Sequence, residues 1–227
     1  NALTPDMHYA LEEAFNAFAA ANDEHVCVLT GTGRAFCAGT DLKAVVASGG
    51  HRAYPPHGYG GIAQRFDCVK PIIAAVNGLA LGGGFELALA CDLIIASDAA
   101  SFGLPEPLVG AVALGGGIHR LARQIGHKQA LGMILTSRRV SAEDGLRLGF
   151  VNEVVPAADL DAAAARWSAD ILAASPMSIR ASKDAFYRGL DEASLADAMV
   201  NQGEYPAYAA WRQSEDAREG PRAFAEK

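Results

Sequence analysis

The chain has 227 residues, enough for one large domain or one domain with a small appendage. Hydrophobic residues make up 51% and charged residues 20%, an ordinary globular composition. A net charge of −7 and a pI near 5.3 argue against nucleic acid or an anionic membrane as the main partner.

In chain order, Thr4-Pro5 reads as an N-cap followed by proline at the first helical position. Met7, Leu11, Phe15 and Phe18 then share one helical face. The chain opens on this helix start without an initiator methionine, so upstream residues are expected; no secretory signal is read in it. "HVCVLTG" (His25–Gly31) is a β-branched run ending in glycine, hence a strand. A loop, "GTGRAFCAGTDLK", leads into a helix starting near Asp41, and "SGGHRAYPPHGYGG" (Ser48–Gly61) reads as a mobile loop. A helix over Ile62–Val69 is predicted before the strand "PIIAAVNG".

The triplet Gly82–Gly84 then opens a helix, Gly84–Cys91, followed by the strand "DLIIAS". The apolar run Pro71–Ser97 is interrupted by Asn77, Glu86, Asp92 and the glycines, which fits a buried strand–turn–helix–strand unit rather than a membrane span. The rhythm α-β-α-α-β-α-β is that of parallel strands with crossover helices. From Pro105 onward the pattern is helical with short interruptions: "SAED" (Ser141–Asp144) is a capping box and Ser175-Pro176 another helix start. Leu160, Ala164, Trp167 and Ile171 mark an amphipathic face between them. The reading is an α/β core with a helical C-terminal third, without repeats.

Cys27, Cys37, Cys68 and Cys91 form no CxxC pair, and the histidines show no ligand spacing. They read as reduced core thiols of a cytoplasmic protein, with no metal site expected.

Glycine after a strand invites a dinucleotide-binding reading, but Phe36 stands where a third glycine should follow Gly31 and Gly33. The triplets Gly82–Gly84 and Gly115–Gly117 do not match either, and no GK[ST] follows any glycine run. A strand running through glycines into a helix also aims unpaired backbone N–H groups at one point, with the positive helix end behind them. Such a turn stabilises an oxyanion; equally, the glycines permit tight helix–sheet packing. Two glutamates follow glycine-bearing turns in apolar surroundings, Glu86 in "GGGFELALA" and Glu106 in "SFGLPEPLVGA". Apolar burial raises a carboxyl's pKa towards neutrality, as a general acid or base requires.

With these motifs the sequence resembles the crotonase family, the enoyl-CoA hydratase/isomerase group. The resemblance is carried by "GRAFCAGTDLK", "KPIIAAVNGLALGGGFELALACDLIIAS", "SFGLPEPLVG", "LTSRRVSAEDGLRLGFVNEVV" and "REGPRAFAEK", in family order along the whole chain. It implies an α/β, crotonase-like spiral of ββα units with a helical C-terminal trimerisation region. The implied organisation is a core over 1–170, holding the CoA and catalytic site, and a helical region over 171–227 that covers the site. An acyl-CoA thioester is the implied substrate, with coenzyme A part of that substrate and no other cofactor. The implied assembly is a homotrimer or dimer of trimers.

Residue by residue, the resemblance implies Thr40 and Gly83 as the N–H donors to the thioester oxygen, and Glu86 and Glu106 as the acid/base pair. Phe36, Ala38, Asp41, Leu42, Lys43, Gly82 and Leu114 are implied on the CoA or substrate side. Phe224 and Lys227 are implied to reach CoA from a neighbouring subunit or to cover the site. Both glutamates together favour a hydratase, which adds water across the 2,3 double bond of an enoyl-CoA. The alternatives are an isomerase, a lyase or decarboxylase of the same enolate chemistry, and a non-catalytic acyl-CoA binder.

Three positions depart from the hydratase pattern: Leu104 replaces a glutamine before the Pro105-Glu106 pair, Ala113 a proline, and Leu114 a glycine that helps to place water. An unusual acyl group is therefore expected. His51, Tyr54, His57 and Tyr59, in the Ser48–Gly61 loop, are candidate contacts to it, against the alternative of ordinary exposed loop residues.

Overall fold

The computed structural model describes residues 1–47, 49 and 54–226. They form two compact units. The first holds Asn1–Ala20, Val28–Arg65 and Ile72–Ala165. The second holds Ala21–Cys27, Phe66–Pro71 and the chain from Arg166 onward.

The elements in chain order are α1 (Pro5–Ala20), β1 (Cys27–Thr30), β2 (Ala35–Cys37), α2 (Leu42–Ala47), β3 (Ile72–Val76), β4 (Leu79–Leu81), α3 (Gly83–Ala90), β5 (Leu93–Ser97) and β6 (Ser101–Gly103). Then come α4 (Gly117–Gln124), α5 (His127–Thr136), β7 (Val140–Ser141), α6 (Ala142–Leu148), β8 (Glu153–Val155) and α7 (Leu160–Leu172). The chain ends in α8 (Pro176–Asp191), α9 (Leu195–Asn201), α10 (Pro206–Gln213) and α11 (Asp216–Ala225).

In the first unit each ββα turn sends its first strand to one sheet and its second to another. The sheet orders are β1-β3-β5-β8 and β2-β4-β6-β7. Pairing is parallel for β3 with β5, β5 with β8, β2 with β4 and β4 with β6, and antiparallel for β6 with β7. β3 and β5 are covered on both faces, which is why they read as unbroken apolar runs. Phe85 on α3, Phe102 on β6 and Phe150 pack ring to ring at 5.1–5.3 Å, seating α3 between strand and helix layers.

The short strands of the second sheet escaped the sequence reading because two or three residues carry no measurable period. Likewise β8 lies in the region read as helical. The helix expected over Ile62–Val69 does not form. There the chain makes a short turn and then runs irregularly. Two carbonyls here accept from side chains, Gly61 O from Arg65 Nε at 2.8 Å and Ala63 O from Arg120 Nη2 at 2.9 Å, while Ile62 O accepts from Arg65 N at 3.1 Å. The expected helix caps do form. Thr4 caps α1, Asp41 Oδ1 accepts from the N–H groups of Lys43 and Ala44, and Ser141 and Asp144 close the capping box of α6.

On α1 the buried face is His8, Glu12, Phe15 and Phe18, while Met7 is exposed. Two polar residues therefore lie on the buried stripe, each for a reason given with the site below. Cys37, Cys68 and Cys91 are buried, Cys27 is half-buried, and none of the four is in a disulfide.

The second unit is mainly helical. Ser175 caps α8 and donates to Asp216 Oδ2 of α11 at 2.7 Å. Buried Asp184 on α8 accepts from Ala207 N at the start of α10 (3.1 Å) and from Arg188 Nε (2.6 Å). Lys183 Nζ donates to the Lys70 carbonyl at 2.7 Å, and Lys70 Nζ to that of Ala21, tying both short segments in. Phe186, Leu190, Leu195, Met199 and Val200 are exposed in this unit. Among the described residues no helix is long and apolar enough to cross a membrane.

Candidate active site

The site is built where β4 turns into α3. Gly82 holds φ 56° and ψ −127°, a conformation side chains rarely adopt, and its carbonyl accepts from Phe85 N (2.9 Å) and Glu86 N (3.0 Å). Helix geometry leaves the N–H groups of Gly83 and Gly84 without intrahelical acceptors. Each glycine also has its own steric reason. A Cβ on Gly84 would strike the Cys37 carbonyl, one on Gly83 would overlap the Tyr59 hydroxyl, and one on Gly82 would sit 2.9 Å from Glu106 Oε1.

Thr40 approaches from the β2–α2 connection. Leu3 N donates to Gly39 O at 2.7 Å and Asp41 N to Leu3 O at 2.9 Å, a parallel bridge that brackets Thr40. In such a bridge the Thr40 N–H faces away from Leu3. Gly39 packs on Gly83, where an added Cβ would lie 3.2 Å from Gly83 N. The backbone donors of Thr40 and Gly83 are thereby brought side by side.

Glu86 projects from the first turn of α3 and is 3% exposed. Its Oε1 accepts from Gly117 N at 2.9 Å. Burial pushes its pKa up to about 7, helped by the charge of Glu106; the Gly117 and Gly115 N–H groups and Arg120 pull the other way. Gly115 and Gly117 leave room for the carboxyl, since a Cβ on either would lie 3.0 Å or closer to it. Leu104, fully buried, packs against Gly117 and keeps this end of the site apolar.

Glu106 begins a 3-10 turn, Glu106–Val109, after Pro105. The residue is half-buried, but its Oε2 is buried and has no hydrogen-bond partner among the described residues. Burial raises its pKa as well. Both carboxyls thus adjoin the glycine turn, and both are biased towards holding a proton.

The remaining candidates fall out differently. Phe36 is buried in β2, and its carbonyl accepts from Asn1 Nδ2 at 3.3 Å; Ala38 N donates to Asn1 O at 2.8 Å. These backbone groups are engaged by the N-terminal residue. Asp41 caps α2, and Leu42 and Lys43 are exposed on it. Leu114 is 76% exposed, and the residues against Glu86 are Gly115 and Gly117. Phe224 is 83% exposed on α11. Lys227 and His51 lie outside the described residues.

The described part of the Ser48–Gly61 loop is divided: Pro55 and Gly58–Gly61 are buried, whereas Gly49, Tyr54 and Pro56 are exposed. Tyr59 Oη lies 3.2 Å from Thr40 Oγ1, while Tyr54 stacks on Tyr59 and His8. His57 turns away to Glu12, Nδ1 to Oε1 at 2.6 Å. Sequence reasoning missed His8, whose Nδ1 accepts from Gly60 N at 2.9 Å, and Glu12, which also pairs with Arg65 at 3.4 Å. The signal was present in their helical spacing with Phe15, but polar residues at such positions read as surface. Among the described residues no cluster of three or more His, Cys, Asp or Glu is placed to hold a metal ion.

Two protonatable carboxyls beside the backbone donors of a glycine turn make an acid–base site suited to an oxyanion, and the two-sheet α/β arrangement that holds them is the crotonase fold. The chain belongs to the enoyl-CoA hydratase/isomerase family, whose model matches residues 1–227. A carnitinyl-CoA dehydratase of Proteus mirabilis is 40% identical over 231 residues, covering 100% of this chain and 88% of that protein. An enoyl-CoA hydratase of Mycobacterium marinum superposes with a TM-score of 0.91 at 37% identity, covering 99% of this chain and 87% of the other. A carnitinyl-CoA hydratase of Mycobacterium avium gives 0.78 at 39% identity, with coverage of 99% and 87%.

Proposed function

We propose that this protein is an enoyl-CoA hydratase that adds water reversibly across the 2,3 double bond of an acyl-CoA thioester. The observation that carries this reading is the pair of carboxyls at one glycine turn, Glu86 buried with a pKa near 7 and Glu106 with a buried Oε2 that has no hydrogen-bond partner among the described residues. The thioester oxygen takes the N–H groups of Thr40 and Gly83, which draws electron density from C3. Water attacks C3 as Glu86 accepts its proton, and Glu106 delivers a proton to C2 as the enolate collapses. Atoms balance: the substrate gains one water, and the carboxyls return to their starting states through solvent.

The same site run backwards eliminates water from a 3-hydroxyacyl-CoA. The identity to a carnitinyl-CoA dehydratase supports a 3-hydroxyacyl group with a cationic substituent as the second substrate to test. The exposed apolar residues of α8 and α9 support a homotrimer or dimer of trimers, with Phe224 and Lys227 serving a neighbouring subunit's CoA. Sedimentation velocity reads the assembly directly.

The reaction is tested by incubating the protein with crotonyl-CoA in ¹⁸O-enriched water and weighing the product. Hydration adds one labelled water. An isomerase or a passive binder returns the thioester without ¹⁸O at C3, which would overturn the reading.

A further inference from the structure

Tyr59, one of the candidate acyl contacts in its loop, stands beside the two residues assigned to the thioester oxygen. Its hydroxyl is 3.2 Å from Thr40 Oγ1 and occupies the space that a side chain on Gly83 would fill. Thr40 and Gly83 are the two residues whose N–H groups are assigned to the thioester oxygen. An oxygen held by both therefore lies beside the phenol.

We propose that Tyr59 supplies a third hydrogen bond, from its side chain, to the oxygen that Thr40 and Gly83 bind through their backbones. The inference rests on the acyl-CoA reading and adds a donor to it. When Thr40 Oγ–H donates to Tyr59 Oη, the phenol proton is released towards the substrate oxygen. No proton is transferred; the phenol donates more strongly as negative charge builds on that oxygen in the enolate. Burial at 6% exposure holds the phenol well above the ordinary tyrosine range, so it remains a protonated donor at neutral pH.

The loop is fastened so that this hydroxyl needs little reorganisation. Gly60 N donates to His8 Nδ1 at 2.9 Å, which places the neutral His8 proton on Nε2. The His8 ring meets Tyr59 edge-on, with centroids 4.6 Å apart, and Tyr54 covers both. On the other side Gly60 packs so tightly on Leu87 of α3 that a Cβ would overlap it. The phenol is thus tied both to α1 and to the helix that presents Gly83. A donor fixed in a dry site contributes through preorganisation, and removal of one such donor lowers kcat by roughly 10²-fold or more.

The test uses butyryl-CoA labelled with ¹³C at the thioester carbonyl, a saturated ligand that cannot be hydrated, bound to wild type, Tyr59→Phe and Thr40→Val. Wild type is expected to move the carbonyl resonance downfield. Tyr59→Phe is expected to retain binding, lose part of that displacement and lower kcat by roughly 10²-fold with little change in KM. Thr40→Val keeps both backbone donors and is expected to give a smaller loss of the same kind. A full wild-type displacement in Tyr59→Phe overturns the third donor while leaving the acyl-CoA reading intact. No binding or no displacement in the wild type overturns both.

Discussion

Gly117, the first residue of α4, donates its N–H to Oε1 of Glu86, the carboxyl of the first turn of α3, at 2.9 Å. One bond thus ties two helix starts together through the group assigned to activate water. It also holds a carboxyl in surroundings that disfavour its charge.

Ionisation of Glu86 should therefore weaken the fold. Its folded pKa is about 7 against an ordinary 4.5, so the folded state keeps a proton that the unfolded chain releases between those values. Stability contributed by this group is complete below 4.5 and is lost as pH rises through 7. Glu86→Gln keeps an acceptor for Gly117 and removes the charge. Urea unfolding should show it more stable than wild type at pH 8 by roughly 3 kcal/mol, with the gap closing towards pH 4.5. An equal gap at both pH values would contradict the assignment.

Glycine at 117 is required by the carboxyl rather than by the helix. A Cβ there would lie 2.9 Å from Glu86 Cγ and 3.0 Å from Oε1. Gly117→Ala should leave the circular dichroism spectrum intact and lower kcat by about 10²-fold, the scale of an ångström-sized misplacement of a reacting group. Gly126→Ala, where nothing among the described residues lies within 4 Å of the added Cβ, should leave kcat unchanged. Equal kcat values for the two variants would show that the Glu86 carboxyl tolerates the displacement.

His8 titrates in the opposite sense to Glu86. Burial holds its pKa below 6.5, and its Nδ1 must stay unprotonated to accept from Gly60. The stability it contributes is complete above pH 6.5 and is lost as pH falls below that value towards its folded pKa. His8→Phe leaves a buried N–H unpaired and should cost about 1–3 kcal/mol at pH 8. That deficit should shrink at pH 5, and urea unfolding at the two values measures it. A deficit that widens on acidification would exclude a neutral His8.

The parts of the site that were legible in the sequence are those whose chemistry is local. A glycine turn leading into a helix, with Glu86 one turn on, is contained in eighteen residues from Val76 to Leu93. Glu106 was legible as a carboxylate among apolar neighbours. What escaped were interactions bridging distant segments. Gly115–Gly117 was read as a failed nucleotide loop because only the folded chain shows Glu86 lying against it. His8 and Glu12 occupy a helical stripe whose polar residues are explained by Gly60, His57 and Arg65, some fifty residues away. The second sheet was invisible since its strands are stabilised by neighbours in space rather than by a pattern of their own. Over Ile62–Val69 the expected helix gives way to a segment in which arginine side chains from Arg65 and Arg120 bond the Gly61 and Ala63 carbonyls.

The most direct measurement of the two-carboxyl account is the loss of enoyl-thioester absorbance with crotonyl-CoA and a cinnamoyl-type CoA, for wild type, Glu86→Gln and Glu106→Gln. The account predicts hydration by the wild type and its collapse in each variant by about 10²-fold or more, with acyl-CoA binding retained. Hydration that survives in either variant, or a wild type that binds these thioesters without consuming them, would contradict it.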